Sequence, residues 1–228
     1  IMAQSVLVIA DSGSGKSTSI RDLDPKETFI INIANKPLPF KGWKKNYSMI
    51  SKDNPKGNMT PVSSAAGITK AMMHVNDKMP HIKNLVIDDW QYMSSFEYFD
   101  RADEKGYDKF TSIAKNLAQV AKLPKDMRED LYIFFLTHSE ESTDVNGHRK
   151  VKAKTVGKMI DNALTLEGLF SIVLFGKVVK GEDDKLSYVF ETVNNGENTC
   201  KSPDKMFDNA RIENSLQVVK DAIIEYEN

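Results

Sequence analysis

The chain has 228 residues, 40% hydrophobic and 28% charged, a composition typical of a soluble globular protein long enough for one sizeable α/β domain. A formal net charge of −1 excludes a uniformly basic nucleic-acid coat, so any contact with a polyanion must come from a local patch. The lone cysteine, Cys200, excludes an internal disulfide, and no Cys/His spacing suits zinc; a reducing, cytoplasmic setting is expected, with no membrane association.

In chain order, Val6–Ala10 is a short continuous apolar run bounded by Asp-Ser-Gly, the pattern of a strand buried on both faces of a parallel sheet. With no basic region ahead of it, this run reads as core rather than as a leader. A helix is expected from about Lys16, ending before Pro25, because the residue ahead of a proline avoids the α region. Thr28–Ile33 is the second expected strand, followed by a Pro- and Lys-rich loop. Between Ser63 and Met79, apolar Ala65, Ile68, Met72, Val75 and Met79 recur at steps of three and four. They predict an amphipathic helix capped by Ser63 or Ser64 and closed by Pro80.

Asn84–Asp89 is the third expected strand. Phe110, Ile113, Leu117 and Val120 mark a further helix ending before Pro124, and Leu131–His138 a fourth strand with a polar tip. Glu140–Lys158 is polar with little periodicity and reads as a mobile loop. The runs on either side of Gly181-Glu-Asp-Asp predict an antiparallel hairpin, and Leu216, Val219, Ile223 and Tyr226 a C-terminal helix. Strands alternating with helices, followed by a hairpin, predict an α/β fold with a mostly parallel central sheet flanked by helices. The reading is one domain, with a core over about 5–180 and the hairpin and last helix over about 170–228.

The stretch Ala10-Asp-Ser-Gly-Ser-Gly-Lys-Ser fits the P-loop pattern except that Ala10 stands where the first glycine belongs. Gly13 and Gly15 allow the backbone N–H groups to turn inward, and the following helix start is electropositive, so Ser12, Gly13, Ser14, Gly15, Lys16, Ser17 and Thr18 are the expected cradle for the phosphates of ATP. Lys16 would reach the β- and γ-phosphates, Ser17 would ligate Mg²⁺ and Thr18 would serve the α-phosphate end. Lys16 is expected to be a surface group in the free protein. An alanine, with the smallest Cβ, weakens the pattern more than the chemistry.

The second half of such a site is an acid at the tip of another apolar strand. Asp88 is expected to hold Mg²⁺ through water, and Asp89 to orient the attacking water. Thr137 and His138, at the tip of the fourth strand, are candidate sensors of the γ-phosphate. Lys16, Asp89 and His138 are thus the expected catalytic set.

These strings, with "KPLPFKG", "VIDDWQYM", "EKGYDKFTSIAKNL", "FFLTHSE" and "ETVNNGENTCKSP", resemble small phage-encoded ATP-binding proteins similar to the ATPase core of RecA-type recombinases, some of which act in single-strand annealing. The resemblance spans most of the chain. It implies a RecA-like P-loop NTPase core in which the Thr137 strand separates the Lys16 and Asp88 strands. It also implies a homo-oligomer (ring or filament), single-stranded DNA as partner, and a single-strand-binding protein as a further one.

DNA-binding loops would lie at about 90–108 and 140–158. In the second, His148–Lys158 carries Arg149, Lys150, Lys152, Lys154 and Lys158 and no acid. Arg149, Lys150, Lys152 and Lys154 are therefore the candidate contacts to DNA phosphates. In the first, Trp90, Tyr92, Phe96, Tyr98 and Phe99 could stack on bases or belong to the core. Lys177 and Lys180 would be placed to reach a neighbouring subunit's nucleotide, or simply be exposed on an edge strand. RecA-type ATPases carry a catalytic glutamate just after the second strand, where this chain has Ala34 and Asn35. Two other function classes stay open: a nucleotide-dependent switch with little turnover, and a small-molecule phosphotransferase. The latter would need an arginine-rich lid, and the arginines are only Arg21, Arg101, Arg128, Arg149 and Arg211.

Overall fold

In the computed structural model, residues 2–143, 146–157, 160 and 164–228 are described. The predicted apolar runs form the parallel strands β1 (Gln4–Ala10), β2 (Thr28–Asn32), β4 (Asn84–Asp88) and β5 (Tyr132–Thr143). They are joined by a two-residue edge strand β3 (Met59–Thr60) and by β7 (Ile172–Lys180), which pairs parallel to β1. The order across the sheet is β3-β2-β4-β5-β1-β7-β8-β9, where β8 is Leu186–Glu191 and β9 is Arg211–Glu213. β7, β8 and β9 are antiparallel neighbours, so the predicted hairpin extends the central sheet. The architecture is α/β and Rossmann-like, with a mostly parallel sheet and antiparallel C-terminal strands, and β5 does lie between β1 and β4.

Side chains alternate across each strand and feed two cores. Leu7, Ile9, Ile31, Ile87 and Phe135 face helices α2 (Ala65–Lys78), α3 (Gln91–Asp100) and α4 (Asp108–Lys122). Val6, Val8, Ile30, Val86, Phe134 and Leu174 face the C-terminal helix α5 (Leu216–Glu227), through Leu216, Val219 and Ile223. The cap of α2 is Ser64, whose side chain accepts a hydrogen bond from the Gly67 N–H. Among the described residues, no helix is long and apolar enough to cross a membrane.

Four segments depart from expectation. After the glycine loop the chain forms a 3-10 turn, Ser17–Asp22, in place of a full α-helix. Ser19 turns its hydroxyl back onto the Lys16 carbonyl at 2.5 Å, its N–H is shared between the Gly15 and Lys16 carbonyls, and Pro25 leaves no length for further turns. The Pro- and Lys-rich loop contains a one-turn helix α1, Trp43–Asn46.

The first expected DNA loop is instead largely helix α3, and Trp90 is core, in edge contact with Phe135 and Phe170. Finally, 140–158 is not a loop throughout. β5 runs on to Thr143 and pairs antiparallel with β6 (Arg149–Ala153). Lys158 lies outside the described residues.

Candidate functional site

The C-terminal ends of the parallel strands meet at one edge of the sheet, where open α/β proteins bind ligands. Ala10 is in register with His138, and Asn32 with Asp88. At this edge a cleft of about 700 Å³ is lined by Ser12, Gly13, Gly15, Lys16, Ser17, Thr18 and Arg21 from the first loop and turn. Lys36 and His138 line it from neighbouring strand ends, and Tyr188 and Asn214 from the C-terminal strands.

Gly13 and Gly15 have φ of +79° and +82°, conformations that side chains with a Cβ rarely adopt. A Cβ on Gly15 would also come within 2.9 Å of the Tyr188 ring and 3.1 Å of the Asn214 amide, so this position is closed sterically as well.

The structure also accounts for Ala10. Gly176 on β7 is its register partner, and a Cβ at Gly176 would fall 2.8 Å from the Ala10 Cβ. The space for the alanine methyl is thus provided by a glycine on the neighbouring strand. Nothing local to residues 10–17 signals this.

Lys16 is 6% exposed, which corrects the expectation of a surface group. Its ammonium lies 2.6 Å from Asp89 Oδ1 and 3.8 Å from Asp88 Oδ1. Ser17 donates its hydroxyl hydrogen to Asp88 Oδ1 at 2.8 Å. Burial pushes the Asp88 carboxyl above the ordinary carboxylate range, and Lys16 only partly offsets it.

Asp89 follows the end of β4 with φ +58° and is 1% exposed. The Lys36 ammonium lies 2.5 Å from its Oδ2 and His138 Nε2 3.3 Å from its Oδ1. Burial by itself would raise its pKa, but the His138 hydrogen bond and the two ammonium groups outweigh burial and hold it far below the usual range. Asp89 is therefore an ionised carboxylate gripped by cations, a weak proton acceptor as it stands.

Thr137 is fully buried and His138 half-buried, and both are tied to α3 through Gln91. The Thr137 hydroxyl is 3.4 Å from Gln91 Oε1, which also accepts from the His138 N–H at 3.1 Å. Asn32, Lys36, Gln91, Asn214 and Gly176 are site residues that motif reading passed over. Only Lys36 left a trace in the sequence, since it follows the two positions where a glutamate was sought.

Among the described residues no cluster of three or more His, Cys, Asp or Glu could hold a metal ion. Ser17 and Asp88, hydrogen-bonded to each other, do fit Mg²⁺, an ion that commonly keeps several waters and takes phosphate oxygens beside one or two protein ligands.

The basic segment pairs with the strand that carries His138. β5 passes from His138 into the hairpin, and the Lys154 N–H donates to the His138 carbonyl at 2.8 Å. Across the hairpin Arg149 pairs with Glu141, and Lys152 lies 3.2 Å from Glu140. The strand period gathers Lys150 and Lys152 on one side, opposite Ser142 and Glu140, and Lys154 follows the end of the strand. Lys177 lies 3.6 Å from Glu191 and Lys180 2.6 Å from Asp184, so both have acidic partners within the chain.

No protein-family model matches the chain, and no curated protein matches it.

Proposed function

We propose that the protein is a Mg²⁺-dependent ATPase with a RecA-like P-loop core that binds single-stranded DNA and promotes annealing or strand pairing. The observation that carries the nucleotide half is the convergence of Lys16 and Ser17, on the loop leaving β1, with Asp88 and Asp89, at the end of β4. Ser17 and Asp88 would hold Mg²⁺, which supplies charge neutralisation on the phosphates. The glycine loop offers its N–H groups to the phosphate chain. Lys16, moving from Asp89 to the β- and γ-phosphates, uncovers Asp89 Oδ1 beside His138, and Asp89 then orients water. In this reading Asp89 becomes useful only after nucleotide has drawn Lys16 away.

For the DNA half the support is the lysine face of β6 and its direct backbone link to His138. Electrostatic contact of this kind is indifferent to base sequence and sensitive to salt. A switch with little turnover is the second reading. It is favoured by the two ammonium groups on Asp89, and by Ala34 and Asn35 in place of a glutamate. The phosphotransferase class gains nothing, because Arg21, the arginine lining the cleft, is committed to the Asn214 carbonyl at 2.9 Å.

ATP hydrolysis measured with and without single-stranded DNA separates these readings. DNA-stimulated turnover supports the ATPase, tight ATP binding without turnover supports the switch, and absence of ATP binding refutes both.

A further inference from the structure

Lys36 is part of neither the phosphate loop nor the acidic strand tip, yet the chain invests in where it points. The Asn32 side chain clamps its backbone on both sides, donating from Nδ2 to the Lys36 carbonyl at 2.6 Å and accepting from the Lys36 N–H at 3.3 Å. Asn35, between them, has φ +51°, in the left-handed region that asparagine tolerates better than most residues. Asn32 is itself in register with Asp88. The turn after β2 is thus tied to the carboxylate end of β4, and it delivers the Lys36 ammonium to Asp89 at 2.5 Å, 5.9 Å from the centre of the Tyr92 ring.

A salt bridge formed only for stability is a poor explanation. The Lys36 side chain is 57% exposed, and pairs with such an exposed partner add little. The arrangement at Asp89 suggests another purpose. One buried carboxylate bridges two ammonium groups, Lys16 on Oδ1 and Lys36 on Oδ2. Two acceptor oxygens carrying negative charge between two lysines is also what a terminal phosphoryl group would present.

Both lysines line the cleft, at the end that carries His138, whereas Thr18 and Arg21 lie further along the turn from Lys16. A phosphate chain with its α-phosphate near Thr18 and its β-phosphate at Lys16 would bring its last phosphate to the Lys36 end.

We propose that Lys36 is a ligand of the terminal phosphate of a bound nucleoside triphosphate, with Asp89 serving as its placeholder anion before the nucleotide arrives. The proposal rests on the nucleotide-site reading above. It adds to the preference for triphosphate over diphosphate that Lys16 begins through its γ-phosphate contact, because Lys36 reaches only the phosphate that the diphosphate lacks. Lys36 directly follows the two positions where a carboxylate was sought, and it contributes charge of the opposite sign.

The test is calorimetric binding of Mg²⁺ complexes of ADP and of the β,γ-imido analogue of ATP to wild type, Lys36→Ala and Lys36→Arg. Lys36→Ala should weaken the triphosphate analogue roughly 10- to 100-fold, the range of one charge-assisted contact, and change ADP by less than about threefold. Lys36→Arg should restore most of the loss. Equal weakening of both ligands would reduce Lys36 to a structural support and overturn the proposal, as would no change in either. Wild type binding neither nucleotide would overturn the site itself, an outcome distinct from both. Circular dichroism and a melting curve on each variant establish that the fold is retained.

Discussion

Replacing Gly176 by alanine tests the steric relation between β7 and the start of the phosphate loop. The added methyl would lie 2.8 Å from the Ala10 Cβ, on the order of 1 Å inside the usual 3.5–4.0 Å carbon contact. Neither methyl has a rotamer by which to escape. Ala10 is held in register by β5 on one side and β7 on the other, and Gly176 by β1 and β8. The remaining neighbours of the new methyl, Phe190 Cε1 and the Ser14 carbonyl at 3.6 Å, are in ordinary contact, so the clash is confined to one pair.

Overpacking of this kind costs about 1–3 kcal/mol, and about 2–4 °C in Tm per kcal/mol for a chain of this length. Ala10→Gly removes the opposing methyl. On that background Gly176→Ala should be tolerated to within about 0.5 kcal/mol, apart from the cost that glycine itself brings to a strand. The assay is a double-mutant cycle in urea, with unfolding midpoints compared at a common slope. If the two substitutions add without coupling, the glycine on β7 is not what accommodates Ala10, and the explanation for the missing first glycine of the loop fails.

Lys16→Ala should abolish tight ATP binding. Because Lys16 is buried against Asp89, it should also cost about 1–3 kcal/mol of stability, seen as a lower urea midpoint; Lys36 and His138 remain to hold the charge. Asp88→Asn should weaken Mg²⁺-ATP binding, whereas Asp89→Asn should chiefly slow hydrolysis, and unchanged turnover in Asp89→Asn would remove it from the water-orienting role. Asp89 has a depressed folded-state pKa, so the stability it contributes is present above the unfolded value of about 4 and is lost as pH falls. The fall in stability on acidification below that pH should therefore be shallower in Asp89→Asn than in wild type. Replacing Arg149, Lys150, Lys152 and Lys154 by alanine should weaken single-stranded DNA binding about equally for every sequence. It should also shrink the log–log salt slope by roughly 0.7 for each DNA phosphate no longer neutralised, and an unchanged slope would remove β6 from the DNA site.

The sequence alone determined those elements whose signal is local. Val6–Ala10 and Asn84–Asp88 are continuous apolar runs because both faces of a central parallel strand are buried, and α2 shows its period and its Ser64 cap because one face is buried and one wet. The glycine loop was legible because its conformations demand glycine at Gly13 and Gly15.

What tertiary structure decided is whatever depends on pairing between distant segments. The β5–β6 hairpin carries little apolar alternation because nearly all its side chains are half-buried or exposed, and only register brings Glu140 opposite Lys152. Helix α3 buries polar Gln91 and Ser94 beside Met93, which blurs its hydrophobic period. Gly176 and Ala10 are 166 positions apart, and only the parallel register of β1 and β7 makes one the condition for the other. Lys36 likewise acquired a role only when β2 was laid beside β4, because a lysine's charge is visible in a sequence but the carboxylate it will face is not.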